Sequence, residues 1–111
     1  MADNPNSVSG TFGGNVTTDA LTLINAGLVA VDLQRTAGTL TVTLQTSLDG
    51  GANFAPAIDA NGTALAADMS ASVQHKRFEI IGQGGQQFRL VSTSNSSGAV
   101  PYKMSRVVVP V

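Results

Sequence analysis

Between Gly38 and Phe54 the chain reads GTLTVTLQTSLDGGANF, and its apolar side chains recur at every second position. Leu40, Val42, Leu44 and Leu48 take one parity, and Thr39, Thr41, Thr43, Gln45 and Ser47 take the other. A period of two puts successive side chains on opposite faces, which describes a strand with one buried face. Asp49-Gly50-Gly51 closes the stretch with the residue types of a tight turn. On this reading Leu48 points inward with the other leucines.

The rest of the chain repeats the theme in shorter pieces. Leu21–Leu33 reads as two strands about an Asn25-Ala26-Gly27 turn, with Val29, Val31 and Leu33 on one face; Asp19 capping a short helix is the alternative. Pro56 confines residues 53–58 to an edge or a loop. Asp59-Ala60-Asn61-Gly62 is a turn, and Thr63–Gln74 is a short helix or a loosely paired strand. Lys76–Ile81 is a strand with Phe78 and Ile80 inward, and Gly82-Gln83-Gly84-Gly85 is a hairpin turn. Gln86–Ser94 turns Phe88 and Leu90 inward, Asn95–Gly98 reverses the chain, and Val100–Val109 is the last strand. Short strands punctuated by Gly and Asn predict an all-β fold, a single small β-sandwich or jelly-roll-like barrel. Residues 1–19 hold Phe12 as their one large apolar side chain, beside Gly10, Gly13 and Gly14. They are expected to form a flexible, extended arm, with Phe12 as an anchor outside the core and residues 20–111 as the domain.

A chain of 111 residues holds one core. Charged residues make up 12 % of it, against about a quarter in ordinary domains. The surface is therefore covered by Ser, Thr, Asn, Gln and Gly, which suits a molecule packed against neighbours and equally a sugar-binding module. Residues 1–74 carry six acids and one base, a net of −5, while residues 75–111 carry five bases and one acid, a net of +4. Either the charge is segregated and orients docking, or strands of the two halves interleave and the charges mix. Five dispersed bases make no nucleic-acid footprint. Cysteine is absent, which removes thiol chemistry and Cys-ligated metals. The first ten residues show neither a basic n-region nor an apolar h-region, and no apolar run is long enough to span a bilayer, so a soluble chain made in a cytoplasm is expected.

Little in the sequence suggests catalysis or a cofactor, and no metal site is expected. His75 is the single histidine, and Lys76-Arg77 beside it are poor neighbours for a triad or a zinc site, so it reads as a solvated loop residue. Asp59-Ala60-Asn61-Gly62 resembles the start of a calcium loop but lacks the later acidic ligands. The glycines at 82–85 join strand to strand, without the Lys-Ser/Thr and helix of a phosphate loop. Arg106 shares parity with Tyr102, Met104 and Val108, which would aim it inward unless a bulge or an interface carboxylate relieves it. Val107-Val108-Val109-Pro110-Val111 is apolar on both faces and must be covered, by the domain's own sheet or by a partner.

The run TLTVTLQTSLDGGANFAPA, followed later by GQGGQQFRLVST, resembles a pattern of small structural proteins of tailed bacteriophages. There a Gly-Thr-rich strand enters an S-x-DGG turn, here Ser47 to Gly51, and a G-G-x-x-[FY]-R-L strand follows, here Gly84 to Leu90. The chain is most similar to capsid decoration (cement or staple) proteins, and among them to the short staple proteins of epsilon-fifteen-like phages, although Phe54 stands where a Trp is often found. The resemblance implies a jelly-roll-like sandwich on the outer surface of the virion. It also implies binding to the major capsid protein, pairing of copies about local symmetry axes, and no enzymatic activity, nucleic acid or membrane partner. The contact residues expected are Phe12, the bases Arg77, Arg89 and Arg106, and the tail Val107, Val108, Val109 and Val111. A carbohydrate-binding module of a phage fibre or adhesin is the alternative.

Overall fold

The computed structural model describes residues 7–59 and 61–107. Its strands are β1 (Ser7–Phe12), β2 (Leu21–Thr22), β3 (Gly27–Gln34), β4 (Ala37–Ser47), β5 (Ala55–Pro56), β6 (Ala66–Met69), β7 (His75–Gly82) and β8 (Gln87–Val107). Every ladder is antiparallel. They make one curled sheet in the order β5-β4-β8-β3-β7, with β1 and β2 also on β8 and β6 on β4. The fold is all-β, a small barrel-like sandwich, as the alternation predicts.

One strand organises this fold. β8 spans 21 residues, and a straight strand of that length would run about 70 Å at about 3.3 Å per residue. The molecule measures 37 Å at its longest, so β8 must bend. It does so at Ser94 and Ser97, whose φ angles are 54° and 52°. Across from the bend, Thr39 faces both Ser96 and Ser97, a bulge in which two residues oppose one. The first half of β8 pairs with β4 and β2, and the second half pairs with β3 and β1. The expected reversal at 95–98 is thus corrected to a bulged bend within one strand, which carries the sheet around the core.

Two further expectations change for the same reason. The Gly82–Gly85 turn is no hairpin, because among the described residues β7 pairs only with β3, whereas β8 begins in the other layer, beside β2 and β4. It crosses the end of the core, where a β-carbon on Gly82 would stand 2.6 Å from Leu23 Cδ1 and 2.9 Å from the Phe88 ring. Residues 7–12 are no free arm either. They form β1 against Val100–Ser105, and Phe12 is 1 % exposed. The chain that follows is stitched to β8: Ser92 Oγ donates to Gly14 O at 2.7 Å, and Thr18 N donates to Leu90 O at 2.9 Å. The arm expected at 1–19 is therefore strand over Ser7–Phe12 and a loop bonded to β8 beyond it, and residues 1–6 lie outside the described residues.

The core is aliphatic with a few rings. Val29, Val31 and Leu33 meet Leu40, Val42 and Leu44 from the opposite layer, with Phe12, Phe78, Phe88, Leu90, Val100 and Met104. Thr63–Gln74 resolves in favour of a strand, because Ala67 and Met69 alternate inward on β6 against β4. Leu48 departs from its expected side and is 72 % exposed. Its parity ends one residue earlier, where Ser47 turns inward and binds the turn: Oγ donates to Asp49 Oδ1 at 2.6 Å and accepts from Gly51 N at 3.0 Å.

Candidate functional site

The outer face of the β1-β8-β3-β7 layer is ordered in rows, because its strands keep register without interruption. One row holds Ser9, Lys103, Asp32 and Arg77. The next holds Ser7, Ser105, Ala30 and Glu79. The third, at the end of the layer, is wholly apolar: Val107, Leu28 and Ile81.

In the charged row Arg77 is held at home. Its Nη1 lies 2.9 Å from Asp32 Oδ2 and its Nε 3.2 Å from Glu79 Oε2. The bonds it donates to Glu79 and then to Asp32 hold the guanidinium above its ordinary pKa. His75 starts β7, and its Nε2 stands 3.8 Å from Asp32 Oδ1. Asp32 belongs to the acidic half of the sequence and Arg77 to the basic half, so the charges mix where strands interleave. Beside this row Asp32, His75, Tyr102 and Lys103 border an open cleft of about 200 Å³.

The apolar row is partly exposed, most of all at Ile81. Ile81 is 79 % exposed, and Ile24 in the β2–β3 connection is 63 % exposed. Ala26, Gly27, Leu28 and Ile81 line a shallow, almost wholly apolar groove. Scattered surface aliphatics are ordinary, but a contiguous apolar strip signals an interaction surface. Val107, expected from sequence as a contact, lies in this strip, half-buried. Val108, Val109 and Val111 lie outside the described residues.

The other expected contacts separate. Phe12 is corrected from an external anchor to a core residue, its ring stacked on Tyr102 with centroids 4.5 Å apart. Arg89 faces outward from the opposite layer, where its Nε donates to Gln45 Oε1 at 2.8 Å and its guanidinium lies 3.8 Å over the Phe54 ring. Arg106 faces inward opposite Val29, as its parity predicts, and its Nε is buried with no hydrogen-bond partner among the described residues. Arg77, Arg89 and Arg106 therefore occupy three different faces and form no common basic patch.

Ile24, Leu28 and Ile81 were not singled out by sequence reasoning. The signal available was parity: with Phe78 and Ile80 read as core-facing or nearly so, Ile81 is an aliphatic residue on the solvent side of β7. Asp59 binds its own turn, accepting from Asn61 N at 2.8 Å and Thr63 N at 3.0 Å, which is turn chemistry rather than ligand geometry. Among the described residues no three His, Asp or Glu side chains cluster as metal ligands would.

The fold and these surfaces define a small antiparallel β-module with an apolar strip at one end of its outer face. No protein-family model and no curated protein sequence matches the chain.

Proposed function

We propose that this protein is a docking module: a non-enzymatic capsid decoration protein that binds the outer surface of an icosahedral phage head and clamps neighbouring major capsid proteins. The observation that carries the docking reading is the Leu28–Ile81–Val107 row, with Ile81 79 % exposed. The phage shell as partner rests on the S-x-DGG and G-G-x-x-F-R-L resemblance. Burying Ile81 against a partner contributes on the order of 1.5–3 kcal/mol if it is fully covered, and the half-buried Leu28 and Val107 contribute less. A ligand that binds the closed shell and not its separated subunits stabilises the shell by mass action, and many copies add up. Sugar stacking finds less support, since Phe12, Phe78 and Phe88 are buried and Arg89 covers one face of Phe54.

The experiment is addition of the purified protein to phage shells stripped of their outer proteins. Wild type should co-sediment in stoichiometric amount and raise the shell's melting temperature. Ile81→Ser should fold normally, with reduced occupancy. Failure of wild type to bind any such shell, or binding by Ile81→Ser equal to that of wild type, overturns the proposal.

A further inference from the structure

Among the described residues, β7 is the last strand of its layer and an open edge. It pairs with β3 on one side only. Among the described residues, no backbone hydrogen bond from another segment reaches its far side. It runs eight residues, HKRFEIIG, with no proline, five of them exposed and a sixth partly so. An edge of this length carries a row of unpaired N–H and C=O groups that can accept another strand.

The sequence of β7 selects that strand. In antiparallel pairing, opposite residues must point their hydrogen-bonding groups the same way, and this direction alternates along each strand. A two-fold axis relating two copies of β7 must therefore pass through a residue that faces its own copy. Centring on Arg77 sets two guanidiniums against each other, and centring on Glu79 does the same with two carboxylates, both unfavourable. Centring on Phe78 sets Arg77 opposite Glu79 twice, Lys76 opposite Ile80 and His75 opposite Ile81, with no like charges facing. Arg77 and Glu79 share the outer face, where Asp32 already extends the alternation of charge onto β3.

We propose that a second copy of this chain pairs with β7 about a two-fold axis at Phe78, joining the two β1-β8-β3-β7 layers into one continuous sheet. This goes beyond the docking reading and stands whatever the apolar row binds. In the dimer the two copies of Ile81 lie six residues apart along the paired strands, about 20 Å. The dimer thus presents two apolar rows on one face, which gives bivalent attachment without new contacts.

The chain contains no cysteine, so paired thiols can report the register. Residues directly opposite have Cα atoms about 4.5–5.5 Å apart, within disulfide reach, whereas diagonal neighbours stand about 7–8 Å apart. Arg77→Cys and Glu79→Cys are made as separate proteins and oxidised alone and mixed. Disulfide dimer should form readily in the mixture and slowly in either protein alone. In sedimentation, wild type should dimerise with concentration, and Glu79→Arg, which sets guanidiniums opposite one another twice, should weaken the dimer by about tenfold or more. Cross-linking as fast in either single protein as in the mixture overturns the register. A wild type that stays monomeric up to about 1 mM overturns the dimer, and leaves the shell-binding result to stand or fall separately.

Discussion

Phe12 and Tyr102 stack with ring centroids 4.5 Å apart and planes 28° from parallel, joining the first described strand to the last. Their strands pair so that Gly10, two residues before Phe12, lies directly opposite Tyr102. A β-carbon on Gly10 would stand 2.9 Å from the tyrosine Oη, so the ring occupies the space an ordinary side chain there would fill. The N-terminal strand is therefore part of the core's closure. Phe12→Ala should lower unfolding free energy by about 3–5 kcal/mol, measured by urea denaturation. An anchor lying outside the core would leave the midpoint unchanged.

Gly38 and Gly50 both have positive φ, 59° and 74°, but their surroundings differ. A β-carbon on Gly38 would collide with the Ser96 and Ser97 backbone at the β8 bend, whereas one on Gly50 meets nothing within 4 Å. Gly38→Ala should cost about 3 kcal/mol, from the left-handed backbone and the collision together, and Gly50→Ala about 1 kcal/mol. Comparison of the two melting temperatures separates conformational strain from close approach. Equal losses would mean that β8 does not press on Gly38.

Asp49 accepts from Ser47 Oγ, from Asn53 Nδ2 at 2.9 Å and from Asn53 N at 3.0 Å. These bonds, that from Ser47 foremost, favour the ionised carboxylate and lower its pKa from 3.8 to about 2. With the folded value below the unfolded one, the turn's contribution is complete above the unfolded pKa. It is lost as pH falls from about 4 through 2. A carboxyl-carbon NMR titration should place the midpoint near 2 in wild type and move it upward in Ser47→Ala. An unmoved midpoint would remove Ser47 as the principal cause.

Arg89 lies over Phe54 and binds Gln45, clasping β8 to the connection beyond β4. A cation over an aromatic face at a partly exposed position contributes about 0.5–1 kcal/mol. Arg89→Ala should therefore destabilise by about 1 kcal/mol in thermal melts. Arg89→Lys should recover only part of this, because the ammonium cannot stack flat or reach Gln45 with the same planar fork.

The positions of the core strands could be read from periodicity wherever a strand carries its own apolar face. Leu40, Val42 and Leu44 on β4, Val29, Val31 and Leu33 on β3, and Phe88 and Leu90 on β8 all point inward as alternation requires. β1 escaped because its alternation is interrupted at Gly10, where the buried surface is supplied by the Tyr102 ring from another strand. Leu48 was misplaced because the Ser47 hydroxyl, drawn into the Asp49 turn, ends the parity one residue early. Of the surface contacts expected, Val107 falls in the apolar row, while Arg77, Arg89 and Arg106 are dispersed. Spacing along one strand does not reveal which face of the sandwich a distant strand shares.

The amino-acid order alone thus determined that the chain is all-β, which residues of its well-patterned strands turn inward, and where most of its tight turns fall. These are local properties, set by the period-two geometry of a strand and by the backbone freedom of Gly and Asn. Pairing partners were decided only in three dimensions, because a strand's hydrogen bonds can be satisfied by any other strand in the chain. That choice made β8 one bent strand shared by both layers, joined Asp32 to Arg77 across the two oppositely charged halves, and left β7 as an edge. It also brought Leu28, Ile81 and Val107 into one apolar row on the outer face, although they stand far apart along the chain.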